Sequence, residues 1–122
     1  MANTFKVKTN AAMPSSAGTA LTLYTVPSST TTVLIGLTLC NVHSSAVTAT
    51  VKIESDTSDT ETNENVTVVK DASIPAGSSL ELLSGGKYVM QTTDVLEIDC
   101  SVSAKIDATL SIMEITKNVL YW

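Results

Sequence analysis

The sequence predicts an all-β domain: an antiparallel β-sandwich, jelly-roll-like, of about eight strands with almost no helix. Three observations predict it. Apolar residues fill 43% of the 122 positions while aromatics fill only 4%, so the core must be built from Val, Ile, Leu and Ala, with Ser and Thr filling much of the rest. β-branched residues suit pleated surfaces better than helices. Several runs alternate with period two, and no stretch sustains a period of 3.6. Turn signals recur at the spacing of a sandwich or small barrel.

Each element has its own justification. Residues 1–20 carry many small residues and only a brief alternation at Phe5 and Val7, which predicts an N-terminal arm, loose alone or ordered against a neighbour. "LTLYTV" (21–26) alternates until Pro27-Ser28-Ser29 ends it. "TVLIGLTLCNV" (32–42) places Val33, Ile35, Leu37 and Leu39 on one face and Leu34, Gly36, Thr38, Cys40 and Val42 on the other. Gly36 inside a strand signals a bulge or a close backbone approach. After the short His43-Ser44-Ser45 link, "AVTATVKIE" (46–54) is the cleanest run, with Val47, Ala49, Val51 and Ile53 inward and Thr48, Thr50, Lys52 and Glu54 outward. This parity predicts that a charge at Val51 breaks the core and that one at Thr50 is tolerated.

"SDTSDTETNEN" (55–65) is polar and acidic and predicts a surface loop. Short strands follow at 66–70, through Leu80 and Leu82, and at 87–91, separated by Pro75-Ala76-Gly77 and Gly85-Gly86 turns. "VLEIDCSV" (95–102) sets Leu96, Ile98, Cys100 and Val102 against Glu97, Asp99 and Ser101. "IDATLSIMEI" (106–115) turns Ile106, Ala108, Leu110 and Ile112 inward. The predicted organisation is an N-terminal arm (1–20), a sandwich domain (21–116) and an aromatic C-terminal tail (117–122).

Charge bounds the function. The formal net charge is −5, with seven lysines, twelve acids and no arginine. Nucleic-acid binding neutralises phosphates with a basic stripe, so no nucleic-acid partner is expected. No apolar run approaches the ~20 residues of a membrane span, and no apolar segment follows Met1 as in a secretory signal, so neither a membrane nor a secretory route is expected. Cys40 and Cys100 are expected as buried free thiols, with a disulfide between them as the open alternative.

No residue set carries chemistry. His43, the single histidine, sits by a turn next to two serines, and chain neighbours do not present a Ser–His pair in catalytic geometry. Asp56, Asp59, Glu61 and Glu64 lack the spacing and glycine of a calcium loop. Glu97 and Asp99 stand about 7 Å apart on one strand face, a separation seen in glycosidases. Those enzymes also need aromatic sugar platforms, and Phe5, Tyr121 and Trp122, three of the five aromatics, lie near the chain ends. No catalytic residue, metal ligand, cofactor or small-molecule ligand is therefore expected. The closing "NVLYW" either folds back on the sandwich or docks on a neighbouring subunit, as interface aromatics do. The candidate interface residues are Phe5, Val7, Leu120, Tyr121 and Trp122.

Four motifs carry a resemblance: "YTVPSSTTTVLIGLTLCN" (24–41), "IPAG" (74–77), Gly85-Gly86 and "DVLEI" (94–98). Together with "AVTATVKI" and "SAKIDATLSIMEI", this chain resembles a type of small virion structural protein of tailed bacteriophages, the marine and cyanobacterial phage type. The resemblance covers the chain from about residue 21, and "NVLYW" falls outside it. It implies a non-enzymatic virion component (capsid decoration, neck, collar or tail accessory), assembled in the host cytoplasm, with copies of itself and other virion proteins as partners. The alternative reading is a receptor- or carbohydrate-binding sandwich, for which Tyr24, Tyr88 and Trp122 are the available platforms.

Overall fold

A computed structural model describes residues 2–13, 20–55 and 62–116. Nine strands follow one another: β1 (Ala2–Asn10), β2 (Leu21–Thr25), β3 (Thr30–Asn41), β4 (Val47–Glu54), β5 (Val66–Ile74), β6 (Ser79–Glu81), β7 (Tyr88–Met90), β8 (Val95–Cys100) and β9 (Ile106–Thr116). No helix occurs among the described residues. Sheet A has the order β1-β9-β3-β6, with β7 also paired to β3; sheet B has the order β2-β8-β4-β5. Every ladder is antiparallel.

The pairings reveal a simple plan. β1 pairs with β9, β2 with β8, β3 with β6 and β7, and β4 with β5. The chain is one long hairpin with its tip between β4 and β5. It is wound so that successive pairs fall into alternate sheets, closed by the β3–β9 and β4–β8 ladders. That winding is a jelly roll. Residues 56–61, most of the stretch expected as an acidic surface loop, lie at the hairpin tip in the chain and outside the described residues. The base of the tip is stapled by Ser55 N–H donating to Asn65 Oδ1 at 2.8 Å.

The core lies between the sheets, and strand parity predicted most of it. Val47, Ala49 and Val51, then Leu96, Ile98 and Cys100, then Ile106, Ala108, Leu110 and Ile112 are all buried. β3 differs. Thr30, Thr32 and Leu34 are buried in its first half, and Leu37, Leu39 and Asn41 in its second. Leu34 pairs with Ile112 and Gly36 with Ser111, so Ile35 is an extra residue. This bulge switches the inward parity from even to odd. Val33 and Ile35, which a single parity puts on the same face as Leu37 and Leu39, are therefore half-exposed on the outer face, while Leu34, put on the opposite face, is in the core with Leu37 and Leu39.

The expected N-terminal arm contains ordered structure. β1 pairs with β9 along its whole length, from Ala2 opposite Thr116 to Asn10 opposite Ala108. Its side chains are nearly all exposed, which is why no strong alternation marks it. Met13 is fully buried, and its carbonyl accepts from Ala104 N–H at 2.9 Å. Residues that close the core thus lie before the expected boundary at residue 21.

The "IPAG" turn is a turn of the wound hairpin. Gly77 has φ +70°, a conformation favourable to glycine. Its N–H donates to Asn41 O, and Ser78 N–H donates to Pro75 O. Cys40 and Cys100 are free thiols. Cys100 is buried as expected, and Cys40 is only half-buried because it lies on the outer face of sheet A.

Candidate interaction surface

The two outer faces of the sandwich differ in charge. On sheet B, Thr50 stands opposite Asp99 and Lys52 opposite Glu97, and Glu54 ends the strand. Asp71 joins them, its N–H donating to Thr50 Oγ1 and its Oδ1 accepting from the same hydroxyl. Burial pushes Glu97 above the usual carboxylate range, and the neighbouring Glu54 adds to this. Burial also raises Asp99, with Lys52 pulling down and Asp71 pushing up. The expected outward pair Glu97 and Asp99 does share this face. Asp99 is nevertheless only 9% exposed, and Thr50 only 8%, because the β5 segment at Asp71 covers them. Thr50 is therefore not the tolerant position that parity alone suggested.

The outer face of sheet A is apolar and hydroxylated. Phe5 stands opposite Met113, Met113 opposite Val33, and Val33 opposite Val89, so one apolar row crosses four strands. Ile115 lies between Asn3 and Thr31 on one side of it, and Ser111 between Val7 and Gly36 on the other. Phe5 is 72% exposed, Val89 65% and Val7 61%. The charged strand residues of this face, Glu81 and Asp107, pair with Thr38 and Cys40 at its far end.

The structure thus places two of the five candidate interface residues, Phe5 and Val7, together on an exposed edge strand. Leu120, Tyr121 and Trp122 lie outside the described residues. Sequence reasoning missed Val33, Met113, Ile115 and Val89. Val33 was misassigned by the unplaced bulge. The others are visible only as lateral neighbours.

Beneath this face lies a buried polar cluster that the sequence did not reveal. Tyr24 is 6% exposed. Its hydroxyl donates to Glu114 Oε2 at 2.6 Å and lies 2.7 Å from Thr32 Oγ1. Lys6 Nζ reaches Glu114 Oε1 at 2.8 Å. Hydrogen bonds from Lys6 and then Tyr24 hold the Glu114 carboxyl below its ordinary value. Burial, reinforced by Glu114, raises the Tyr24 phenol above its own. Glu114 continues the inward parity of β9, and Lys6 reaches it from the edge strand, so the cluster fastens β1 to the core. Tyr24 is accordingly not a surface platform.

Two other positions raised by the sequence are structural. His43 is half-buried, and its N–H donates to Asn41 Oδ1 at 2.7 Å. Asn41 itself is fully buried and donates to Ser45 O and Ile74 O. Among the described residues no three His, Cys, Asp or Glu side chains gather as metal ligands do. A groove of about 460 Å³ runs between β5 and β7, lined among others by Asn63, Val66, Lys87 and Tyr88.

No protein-family model, curated protein or solved structure matches this chain.

Proposed function

We propose that this chain is a non-enzymatic structural component of a tailed-phage virion that acts through subunit interfaces. The observation that carries the reading is the exposed apolar pair Phe5 and Val7 on a strand that, among the described residues, is an edge with one flank unpaired. Exposed apolar residues on an uncapped edge invite a neighbouring subunit. The motif residues behind the resemblance support it by their roles. Tyr24, Thr32 and Asn41 satisfy buried hydrogen bonds, while Gly77 and Asp94 shape turns, Asp94 Oδ2 accepting from Gln91 N–H. They maintain a fold and leave the surface to make contacts. Mass spectrometry of purified particles tests the reading. The expected result is the chain at a fixed copy number in intact virions; its absence from them overturns the proposal.

The second reading, a receptor- or carbohydrate-binding sandwich, is favoured by the groove beside Tyr88, a partly exposed aromatic with Asn63 and Lys87 alongside. Jelly rolls serve in both capsids and lectins. Saturable binding on a glycan array, lost in Tyr88→Ala, supports this second reading over the first.

A further inference from the structure

We infer that the outer face of sheet A packs against the same face of a second copy of this chain, forming a symmetric dimer. The inference rests on the reading above only in treating the chain as a subunit; its evidence is the surface itself. The row Phe5, Met113, Val33 and Val89 crosses β1, β9, β3 and β7, flanked by Ile115, Thr31, Val7 and Ser111. No charged side chain stands among these positions. Interface centres are depleted in charge in this way and are enriched in Phe and Met.

Charge also selects the occupant. The chain carries a formal net charge of −5, so two copies repel wherever charged faces meet. The outer face of sheet B presents Glu54, Glu97, Asp99 and Asp71 with Lys52. Two copies approach at least cost through the uncharged face, and each offers the other the same apolar row. A basic partner is drawn instead to sheet B.

The area fits a weak dimer. Strands lie ~4.8 Å apart and rise ~3.3 Å per residue, so β1, β9 and β3, with the short β7, give a footprint of roughly 500 Å² before side-chain relief. A standard interface takes about 800 Å² from each partner, so this smaller one belongs to the weak, concentration-dependent class. Aligned sheet-on-sheet packing suits two such surfaces, and a two-fold axis places identical patches in contact.

The test is the mass of the purified full-length chain by sedimentation equilibrium, from micromolar to millimolar concentration. Phe5→Lys and Val33→Lys change this face, and Thr48→Lys on the outer face of sheet B is the control. Phe5 is largely exposed, so its variant keeps the fold; thermal melts check all three. The expected result is a dimer in the wild type and in Thr48→Lys, weakened roughly a hundredfold in the two face variants. A dimer of undiminished affinity in both face variants overturns the inference, as does a wild-type monomer at every concentration. A chain ending at residue 116 that dimerises where the full chain does not would assign the face to residues 117–122, which also overturns it. Failure here leaves the particle measurement standing, and absence from particles leaves the dimer standing, so the two readings fail separately.

Discussion

At the scale of single residues, two acids with opposite shifts make the sharpest predictions. Glu114 is held below its ordinary value by Lys6 and Tyr24. Its contribution is present above the unfolded carboxyl value, about 4.3, and is lost as pH falls through the lower folded value. Glu114→Ala leaves the buried Tyr24 hydroxyl with Thr32 as its remaining partner among those described above, and is expected to cost about 1–3 kcal/mol in urea unfolding at neutral pH. Lys6→Ala removes a half-exposed partner and is expected to cost below about 1 kcal/mol. Equal losses would show that the cluster depends on charge rather than on the buried hydroxyl. Asp99 behaves in the opposite way. Its folded value is raised by burial, so stability is lost as pH rises from the ordinary aspartate value to the raised one. Asp99→Asn is therefore expected to raise the melting temperature at pH ~7 and to have no effect at pH ~3, below both values. A gain that persists in acid would place its origin outside titration.

At the scale of elements, the bulge in β3 and the parity of β4 are the instructive cases. Gly36 follows the extra residue, yet its backbone is not in the left-handed region, and an added Cβ would meet only Glu81 Oε1 at 3.7 Å. Gly36→Ala is thus expected to be neutral or to stabilise by up to about 1 kcal/mol, through the unfolded chain. Deleting Ile35 is a different change: it makes Leu34 and Gly36 consecutive opposite Ile112 and Ser111, so both halves of the strand keep their inward residues and only the local bend is lost. A cooperative melt is expected to survive there, and its loss would show that the bend at the bulge is required for the sheet to close. In β4, the fair comparison is one substitution on the two faces. Val51 is 1% exposed, so Val51→Lys buries an unpaired charge and is expected to unfold the domain. Thr48→Lys, on the half-exposed outer face, is expected to melt near the wild type.

At the scale of the whole molecule, the wound hairpin sets folding and dissection. Ala2 pairs with Thr116, so the last ladder to close joins positions from opposite ends of the described chain. Non-local pairing of this kind slows folding. Refolding in milliseconds to seconds is expected by stopped-flow fluorescence or circular dichroism, and a microsecond phase carrying the full amplitude would contradict it. The winding also says where the chain can be cut. Removing residues 1–10 takes away an edge strand whose side chains are nearly all exposed, and a folded, less stable domain is expected. Removing residues 1–20 also takes Met13 out of the core and is expected to abolish the native melt.

The sequence by itself determined the fold class, the run of strands along the chain and most of the core, because a side-chain period of two is a local property. It is readable in 46–54 and 106–115 without knowing any neighbour. It also marked Gly36 as a place where a strand departs from regularity, and it put Phe5 and Val7 forward as contact residues. Only the tertiary structure decided which residue is the bulge, since an extra residue is defined against the partner strand: Ile35 is extra only because β9 advances by one where β3 advances by two. β1 was illegible for the related reason that an edge strand exposed on both faces carries no burial pattern to read. The pairing of Tyr24, Thr32, Glu114 and Lys6, and the uncharged row from Phe5 to Val89, join residues up to 108 positions apart by number. Lateral neighbours across a sheet are set by the winding of the chain, and local periodicity holds no record of it.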